Sequence, residues 1–233
     1  MMWGWFDPYY LLFLAPAMLL ALWAQFRVRS AYQEASQLPA QSGLSGAQGA
    51  EVVMRAAGVS GVEIEPVEGF LSDHYVPGQK VLRLSPDVYA GHSLAALGIA
   101  AHEAGHAIQD DRRFPLLSIR NALVPLAGIG SNISWLLIMI GFALASLMWI
   151  KIGILAFSTT VLFQLVNLPV EFDASRRAHA ALITGGIVSP EEAVYVRKVL
   201  TAAALTYVAA TLTSIMTLLY FLFRAGLLSD RRD

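Results

Sequence analysis

Two histidines and a glutamate in the run His102-Glu103-Ala104-Gly105-His106 have the spacing of a zinc-dependent hydrolase. The run lies in residues 91–109, whose apolar character predicts a helix. Residues four apart share a helix face, so His102 and His106 can bind one zinc ion while Glu103 reaches a water beside it. Zinc lowers the pKa of that water towards ~7 and polarises a scissile carbonyl, and the glutamate carries the water's proton to the leaving amine. The pattern predicts the chemistry of a zinc peptidase.

The same five-residue pattern can arise by chance on a solvated helix face. Here its flanks are apolar: Leu94, Ala95, Ala96, Leu97, Ile99, Ala100, Ala101, Ala107 and Ile108. A helix this apolar is expected to be buried. Burying two histidines and a glutamate is costly unless a partner satisfies them. A metal site is therefore favoured over an accidental match.

The composition is that of a membrane protein, because 56% of the 233 residues are hydrophobic and only 14% are charged. The predicted membrane-spanning segments are residues 9–26, 122–149, 152–170 and 202–223. The first lacks a preceding basic residue, so it is interpreted as a retained anchor rather than a cleaved signal peptide. The second and third should form a hairpin that turns near Trp149, Lys151 and Gly153.

The expected fold is mainly α, with four transmembrane helices and a small α+β metallopeptidase domain between the first two. Its parts are an anchor (1–26), a cytoplasmic zinc-peptidase domain (27–121), a transmembrane hairpin (122–170), a cytoplasmic helical segment with the third zinc ligand (171–201), and a C-terminal helix with a tail (202–233). Within the domain, the sequence predicts a short helix and a loop over residues 30–49, a helix after Ser45 that ends near Ala57, and strands at 62–67 and 80–84.

Polar residues inside the predicted hairpin are interpreted as hydrogen-bonding groups between helices rather than as catalytic groups. They are Asn132, Ser134, Gln164 and Asn167.

The chain contains no cysteine, so Zn²⁺ must be held by His, Asp or Glu side chains. A net charge of −1 gives no indication of nucleic-acid binding. The expected partners are a peptide or membrane-protein substrate and the lipid bilayer, and no regulatory partner is identifiable.

A catalytic zinc usually has three protein ligands and one open position. The candidates for the third ligand are His74, His92, Asp110, Asp111, Glu171, Asp173 and His179. His92 lies about 15 Å from His102 along the same helix, too far to bind the same ion. Asp110 and Asp111 follow the motif too closely and are expected to be solvated.

Glu171 stands at the end of the third predicted span, and two spans return the chain to the side from which it left after His106. A charged residue there is a functional candidate, with an ordinary interfacial carboxylate as the alternative. On a continuing helix, Asp173 points away from Glu171 by ~200°. The geometry therefore favours Glu171 over Asp173.

Several segments together resemble the bacterial YugP-like neutral zinc metallopeptidases over nearly the whole chain. They are Phe6-Asp7-Pro8, Leu22-Trp23-Ala24-Gln25, Ser72-Asp73-His74-Tyr75, Val81-Leu82-Arg83-Leu84-Ser85, Ala101-His102-Glu103-Ala104-Gly105-His106-Ala107-Ile108-Gln109 and Leu168-Pro169-Val170-Glu171-Phe172.

That family is similar to the gluzincin membrane proteases of the HtpX and CAAX prenyl protease type. In those proteases the Glu that opens an E-F-x-A-D motif is the third zinc ligand, which the resemblance carries onto Glu171. The Asp that closes that motif and supports the zinc site corresponds to Ser175, so a supporting carboxylate is either missing or supplied elsewhere. The resemblance also implies that the strand at residues 81–84 could pair with the substrate backbone.

Four other residues near these motifs can carry charge, and only the first has a possible catalytic role. His74 could donate to the oxyanion that forms at the scissile carbonyl, or it could be a packed histidine at a strand end. Arg176 and Arg177 are interpreted as cytoplasmic charges that face lipid and fix the topology. His179 could reach the substrate, although no role is assigned to it.

The sequence favours a membrane-integral zinc endopeptidase in which His102, His106 and Glu171 hold the metal and Glu103 is the base. An intramembrane protease of the site-2 type is a second interpretation, but the uncharged run that begins at Gly91 is too short to span a bilayer. The third interpretation is a membrane scaffold or holdase with structural zinc, which would need a fourth protein ligand.

The distribution of basic residues predicts the orientation of the chain. With the N-terminus outside, twelve of the 16 Lys and Arg residues lie on the inner side, and Arg231 and Arg232 are the counter-signal. A reporter fused after Asp233 should therefore lie outside the cytoplasm, and one inserted near Gly43 should lie inside it. Accessibility of the two reporters in intact cells measures this, and the opposite pattern would place the metal motif outside.

Overall fold

The computed structural model describes residues 7–228. In chain order its elements are α1 (Pro8–Ser36), α2 (Gly46–Ala56), β1 (Glu63–Pro66), β2 (His74–Val76), β3 (Val81–Leu84), α3 (Pro86–Tyr89), α4 (Leu94–Asp111), α5 (Pro115–Ala143), α6 (Leu147–Thr184) and α7 (Pro190–Arg224). Phe6 of the Phe6-Asp7-Pro8 segment and the C-terminal pair Arg231 and Arg232 lie outside the described residues.

Four helices, α1, α5, α6 and α7, are long and apolar enough to cross a membrane. The predicted fold class is confirmed: the chain is mainly helical, with a small sheet after the first long helix. Helices α1, α6 and α7 extend beyond the predicted spans, whereas α5 begins earlier than its span and ends at Ala143, before residue 149. Residues 30–36, predicted to be a separate short helix, belong to α1, because no Gly or Pro interrupts the helix after Arg29.

The chain divides into two compact units. The helical unit contains the described residues of Met1–Trp23, Ile119–Leu168 and Thr206–Asp233. The mixed unit contains Ala24–Ser118 and Pro169–Leu205. Glu171 and the His102–His106 motif therefore belong to one unit, although the hairpin separates them in sequence.

In the helical unit, the turn of the α5–α6 hairpin lies at residues 144–146, so the predicted turn near Trp149, Lys151 and Gly153 is wrong. Those three residues are inside α6. Gly153 serves packing instead, because a Cβ there would lie 3.0 Å from the backbone nitrogen of Ile138. In sequence, a glycine such as Gly153 that allows two helices to pack closely has the same appearance as a glycine in a turn.

The polar residues of the hairpin only partly bond between helices. Asn167 of α6 accepts a hydrogen bond from Nε of Arg120 in α5 at 3.0 Å, as predicted. Asn132 and Ser134 instead donate to carbonyls of their own helix, so the prediction is wrong for these two. The backbone carbonyl of Gln164 accepts from the Thr211 hydroxyl of α7 at 3.5 Å.

The sheet of the mixed unit has the strand order β1-β3-β2. β3 is parallel to β1 and antiparallel to β2. The two predicted strands are present in shorter form, whereas the three-residue β2 was not predicted. Because β3 is central and paired on both sides, the expectation that it pairs with the substrate backbone is wrong.

Helix α4 is the buried helix that the sequence predicts, with 13 of its 18 residues buried. It begins after Ser93, whose side chain accepts a hydrogen bond from the backbone N–H of Ala96. Helix α2 packs against α4. The Ser45 and Gln48 capping box begins α2 as expected.

Two glycines bring other helices close to α4. A Cβ at Gly105 would lie 2.6 Å from the carbonyl oxygen of Ala174 in α6. A Cβ at Gly98 would lie 3.3 Å from a methyl group of Val196 in α7. A backbone carbonyl cannot move without its helix, whereas a methyl group can shift slightly.

We expect Gly105→Ala to lower the free energy of unfolding by about 1–3 kcal/mol, because α6 must move away from α4. Gly98→Ala is the matched control on the same helix, with the same gain of about 1 kcal/mol in helix propensity. It should cost less, because the Val196 methyl group can shift and the Ala174 carbonyl cannot. Thermal unfolding of zinc-loaded protein in detergent measures both. Equal midpoints for the two variants would contradict the close approach at Gly105.

Candidate metal centre

Three potential metal ligands meet where α4 faces α6. His102 and His106 come from α4 and Glu171 from α6, and one ligand atom of each lies within 4.8 Å of the others. Oε2 of Glu171 is 3.2 Å from Nε2 of His102 and 3.7 Å from Nε2 of His106. Within residues 7–228, this is the one group of three or more His, Asp or Glu residues with such geometry.

The spacing of these atoms suits a zinc ion. Two atoms bound at about 2.1 Å to one tetrahedral ion lie about 3.4 Å apart. The two distances from Glu171, 3.2 and 3.7 Å, bracket that value. A His₂Glu set also matches the ligands that zinc prefers, and three protein ligands leave a fourth position open. The residues present therefore fit zinc.

Burial of the His102, His106 and Glu171 group costs free energy unless a cation is bound. Glu171 is 2% exposed and His106 8% exposed. A buried carboxylate needs an opposite charge or several hydrogen bonds to offset its lost hydration.

Gln109 fixes the orientation of the His106 ring. Its Nε2 donates to the carbonyl of Val170 at 2.9 Å and to Oδ2 of Asp173 at 2.9 Å. Both amide hydrogens are therefore used, and Oε1 must be the atom 3.0 Å from Nδ1 of His106. Because that oxygen only accepts, Nδ1 carries the hydrogen, and Nε2, which faces Glu171, is the nitrogen that can bind a metal.

Ser175 acts on the other histidine. Its Oγ lies 3.1 Å from Nδ1 of His102, so its oxygen can accept the Nδ1 hydrogen and leave Nε2 facing Glu171. Both histidines thus present the same ring nitrogen to the centre of the group. Such supporting hydrogen bonds orient metal-binding histidines and raise their basicity.

Asp173 has a part in the site that its position on the helix did not suggest. It is not among the three grouped ligands, but it is buried and accepts hydrogen bonds from Gln109, Arg176 and Arg177. Asp173 is outside the ligand group, as the helix geometry predicts, but it is not without a role. Through Gln109, its carboxylate is linked by hydrogen bonds to Nδ1 of His106.

The two arginines after Asp173 are not simply lipid-facing charges, since both form salt bridges with it. Arg177 also lies over the ring of Phe114, 5.8 Å from the centroid. They neutralise the carboxylate that holds Gln109.

Glu103 lies between the two histidines in sequence and is partly buried. Burial raises the pKa of its carboxyl above the ordinary value, and the neighbouring His102 and His106 offset only part of that rise. A carboxyl group with a raised pKa beside a metal site is suited to accepting and returning a proton.

The other candidate residues lie elsewhere. His74 is exposed on β2, with Nδ1 2.7 Å from the carbonyl oxygen of Ser72. His92 precedes α4, and its Nδ1 lies 2.9 Å from the carbonyl oxygen of Gly43. Nε2 of His179 lies 3.2 Å from the carbonyl oxygen of Ala193. Asp110 is not simply solvated, because it accepts a hydrogen bond from the hydroxyl of Tyr75 at 2.9 Å.

A family model described as "Putative neutral zinc metallopeptidase" matches residues 10–226. The chain belongs to this family. The relative named "Putative membrane protease YugP" from Bacillus subtilis (strain 168) is 44% identical over 205 residues, which cover 88% of this chain and 91% of the relative. The family resemblance is thus confirmed, and no solved structure matches the chain.

We expect loss of a ligand to reduce zinc binding more than loss of a residue that only supports a ligand. Glu171→Ala and His106→Ala should both lose most of the zinc, because two protein ligands remain where three are needed. Gln109→Leu and Asp173→Ala keep all three ligands but lose the orientation of His106, so zinc affinity should fall about 10–100-fold.

Metal analysis of detergent-purified protein across a chelator titration measures these affinities. Gln37→Leu, which replaces an exposed glutamine of the same unit, is the control and should bind zinc as the wild type does. Full zinc in Glu171→Ala, or unchanged affinity in Gln109→Leu, would contradict the assigned roles.

Proposed function

We propose that this member of the zinc metallopeptidase family is a membrane-integral endopeptidase that hydrolyses peptide bonds at the cytoplasmic face. The observation that carries the proposal is the His102, His106 and Glu171 group beside Glu103. Four apolar helices and the similarity to a membrane protease support the membrane setting. The excess of basic residues on one side of the predicted spans supports the cytoplasmic orientation, with both termini outside.

In this proposal Nε2 of His102, Nε2 of His106 and a carboxylate oxygen of Glu171 hold the metal. A zinc ion bound there supplies a Lewis acid that polarises the scissile carbonyl and makes water acidic near neutral pH. Gln109 and Ser175 bond Nδ1 of His106 and His102, which leaves Nε2 of each ring directed towards Glu171, so the rings need little reorientation to bind a metal.

Glu103 is the proposed general base and acid. One oxygen of its carboxylate accepts a proton from the attacking water as the C–O bond forms, and then donates it to the amide nitrogen as the C–N bond breaks. The products are a carboxylic acid and an amine. The elevated pKa of Glu103 suits both steps.

His74 remains a secondary proposal as the oxyanion donor. Because Nδ1 lies next to the Ser72 carbonyl, a neutral ring carries its hydrogen there and Nε2 can only accept. His74 could donate through Nε2 only as an imidazolium. The edge position of β2, which packs against α4, makes it the better candidate than β3 for pairing with substrate.

Two alternatives receive less support. For an intramembrane protease, α4 would need to span the bilayer, but it is not among the four apolar helices found in residues 7–228. For a scaffold with structural zinc, a fourth ligand is needed, and the group found in the described residues has three.

Glu103→Gln tests the mechanism. The variant should retain zinc and its unfolding midpoint while losing about 10²–10⁴-fold of the turnover of fluorescein-labelled casein, because an amide cannot accept the proton. Glu51→Gln, at an exposed position on α2, is the matched control and should keep its activity. Wild-type turnover by zinc-loaded Glu103→Gln would remove Glu103 from the mechanism.

A further inference from the structure

A groove of about 370 Å³ lies between α6 and α7 within the mixed unit. We call it the side groove. It is lined by Phe172, Ser175, Arg176, His179 and Ala180 of α6, and by Arg197, Leu200, Thr201 and Ala204 of α7. This volume is within the range of small-ligand sites and is large enough for a bulky side chain and its backbone.

The side groove adjoins the candidate metal centre. Ser175 lines the groove and also contacts Nδ1 of His102. Phe172 lines it and directly follows Glu171 in α6. A peptide whose scissile bond lies at the metal centre could therefore extend into the groove within a few residues.

The lining of the groove combines two kinds of side chain. Phe172, Leu200 and Ala204 form an apolar part. Arg176 of α6 and Arg197 of α7 add two guanidinium side chains to the same lining. The lining residues include no Asp or Glu. The groove thus combines an apolar wall with positive charge.

Arg197 supplies the charge that the fold itself does not use. Arg176 is bound to Asp173, although its side chain stays 76% exposed. Arg197 is exposed and forms no salt bridge with any described residue. The adjacent Lys198, by contrast, binds Glu34 of α1 at 2.7 Å. Of these two neighbouring cations, Arg197 lines the groove and is the one available to bind a ligand.

We propose that the side groove is a specificity site for the substrate, in which an apolar side chain packs on Phe172 and Leu200 and a substrate carboxylate binds Arg197 with Arg176. The carboxylate can be an acidic side chain or the C-terminus of the chain being cleaved. This proposal rests on the proposed peptidase function and adds its substrate class: apolar segments that carry a nearby negative charge.

A peptide library made by digesting a proteome tests the proposal with zinc-loaded protein in detergent. Mass spectrometry identifies the cleaved bonds, once with native peptides and once with every carboxyl group converted to a methylamide. We expect cleavage sites to be enriched for an apolar residue followed within about three residues by a carboxylate, and that enrichment to disappear in the amidated library. The positions of the cuts distinguish acidic side chains from C-termini.

Arg197→Gln should lower the ratio of kcat/KM for an acidic peptide over its Gln counterpart by about 10-fold, mainly through KM, because a charge-assisted hydrogen bond is lost. Lys198→Gln removes the same charge from the next residue and should keep the ratio. Equal ratios in Arg197→Gln and wild type would overturn the specificity site while leaving the peptidase proposal intact.

Two other results would also overturn the specificity site. Absence of cleavage in both libraries by zinc-loaded wild type would remove the peptidase function on which it rests. If phosphatidylglycerol vesicles raised the unfolding midpoint of wild type but not of Arg197→Gln, and peptide selectivity did not change, the groove would be a lipid site instead.

Discussion

The candidate site depends on one close approach, that of α4 to α6 at Gly105 and Ala174. The absence of a side chain on Gly105 lets the two backbones come near enough for the carboxylate of Glu171 to lie between two imidazoles of the facing helix. The hydrogen bonds that join the two helices at the site depend on that distance. Gln109 can reach the Val170 carbonyl, and Ser175 can reach His102, because the same two helices stay in contact over successive turns.

The sequence predicts the parts of this site that local spacing determines. The interval between His102 and His106, and the apolar flanks of the motif, predict a buried metal-binding helix, which α4 resembles closely. The four long apolar helices follow from composition in the same way. Glu171 could be proposed because the chain topology returns it to the correct side and because the family resemblance identifies its motif.

What the sequence does not reveal is how separate segments meet. Asp173 was set aside because a helical projection shows where a side chain starts but not which partner reaches it. Gln109, three residues after His106 and on the same apolar helix, is an available signal, since a buried amide needs partners. The α5–α6 turn was misplaced because Gly153, which packs against Ile138, resembles a turn residue in sequence. The three-residue β2 is too short to produce an alternating pattern.

The hydrogen bonds of Gln109 couple residues that are 64 positions apart in the chain. Its amide accepts from His106 with one end and donates to Asp173 and Val170 with the other, so neither a carboxylate nor a hydroxyl could replace it in both tasks. A change at Asp173 alone would leave an amide hydrogen of Gln109 without its acceptor. A change at Gln109 alone would leave Asp173 paired with its two arginines but no longer bonded to the helix that carries His106. Substitutions at these two positions should therefore accumulate together or not at all as related sequences diverge.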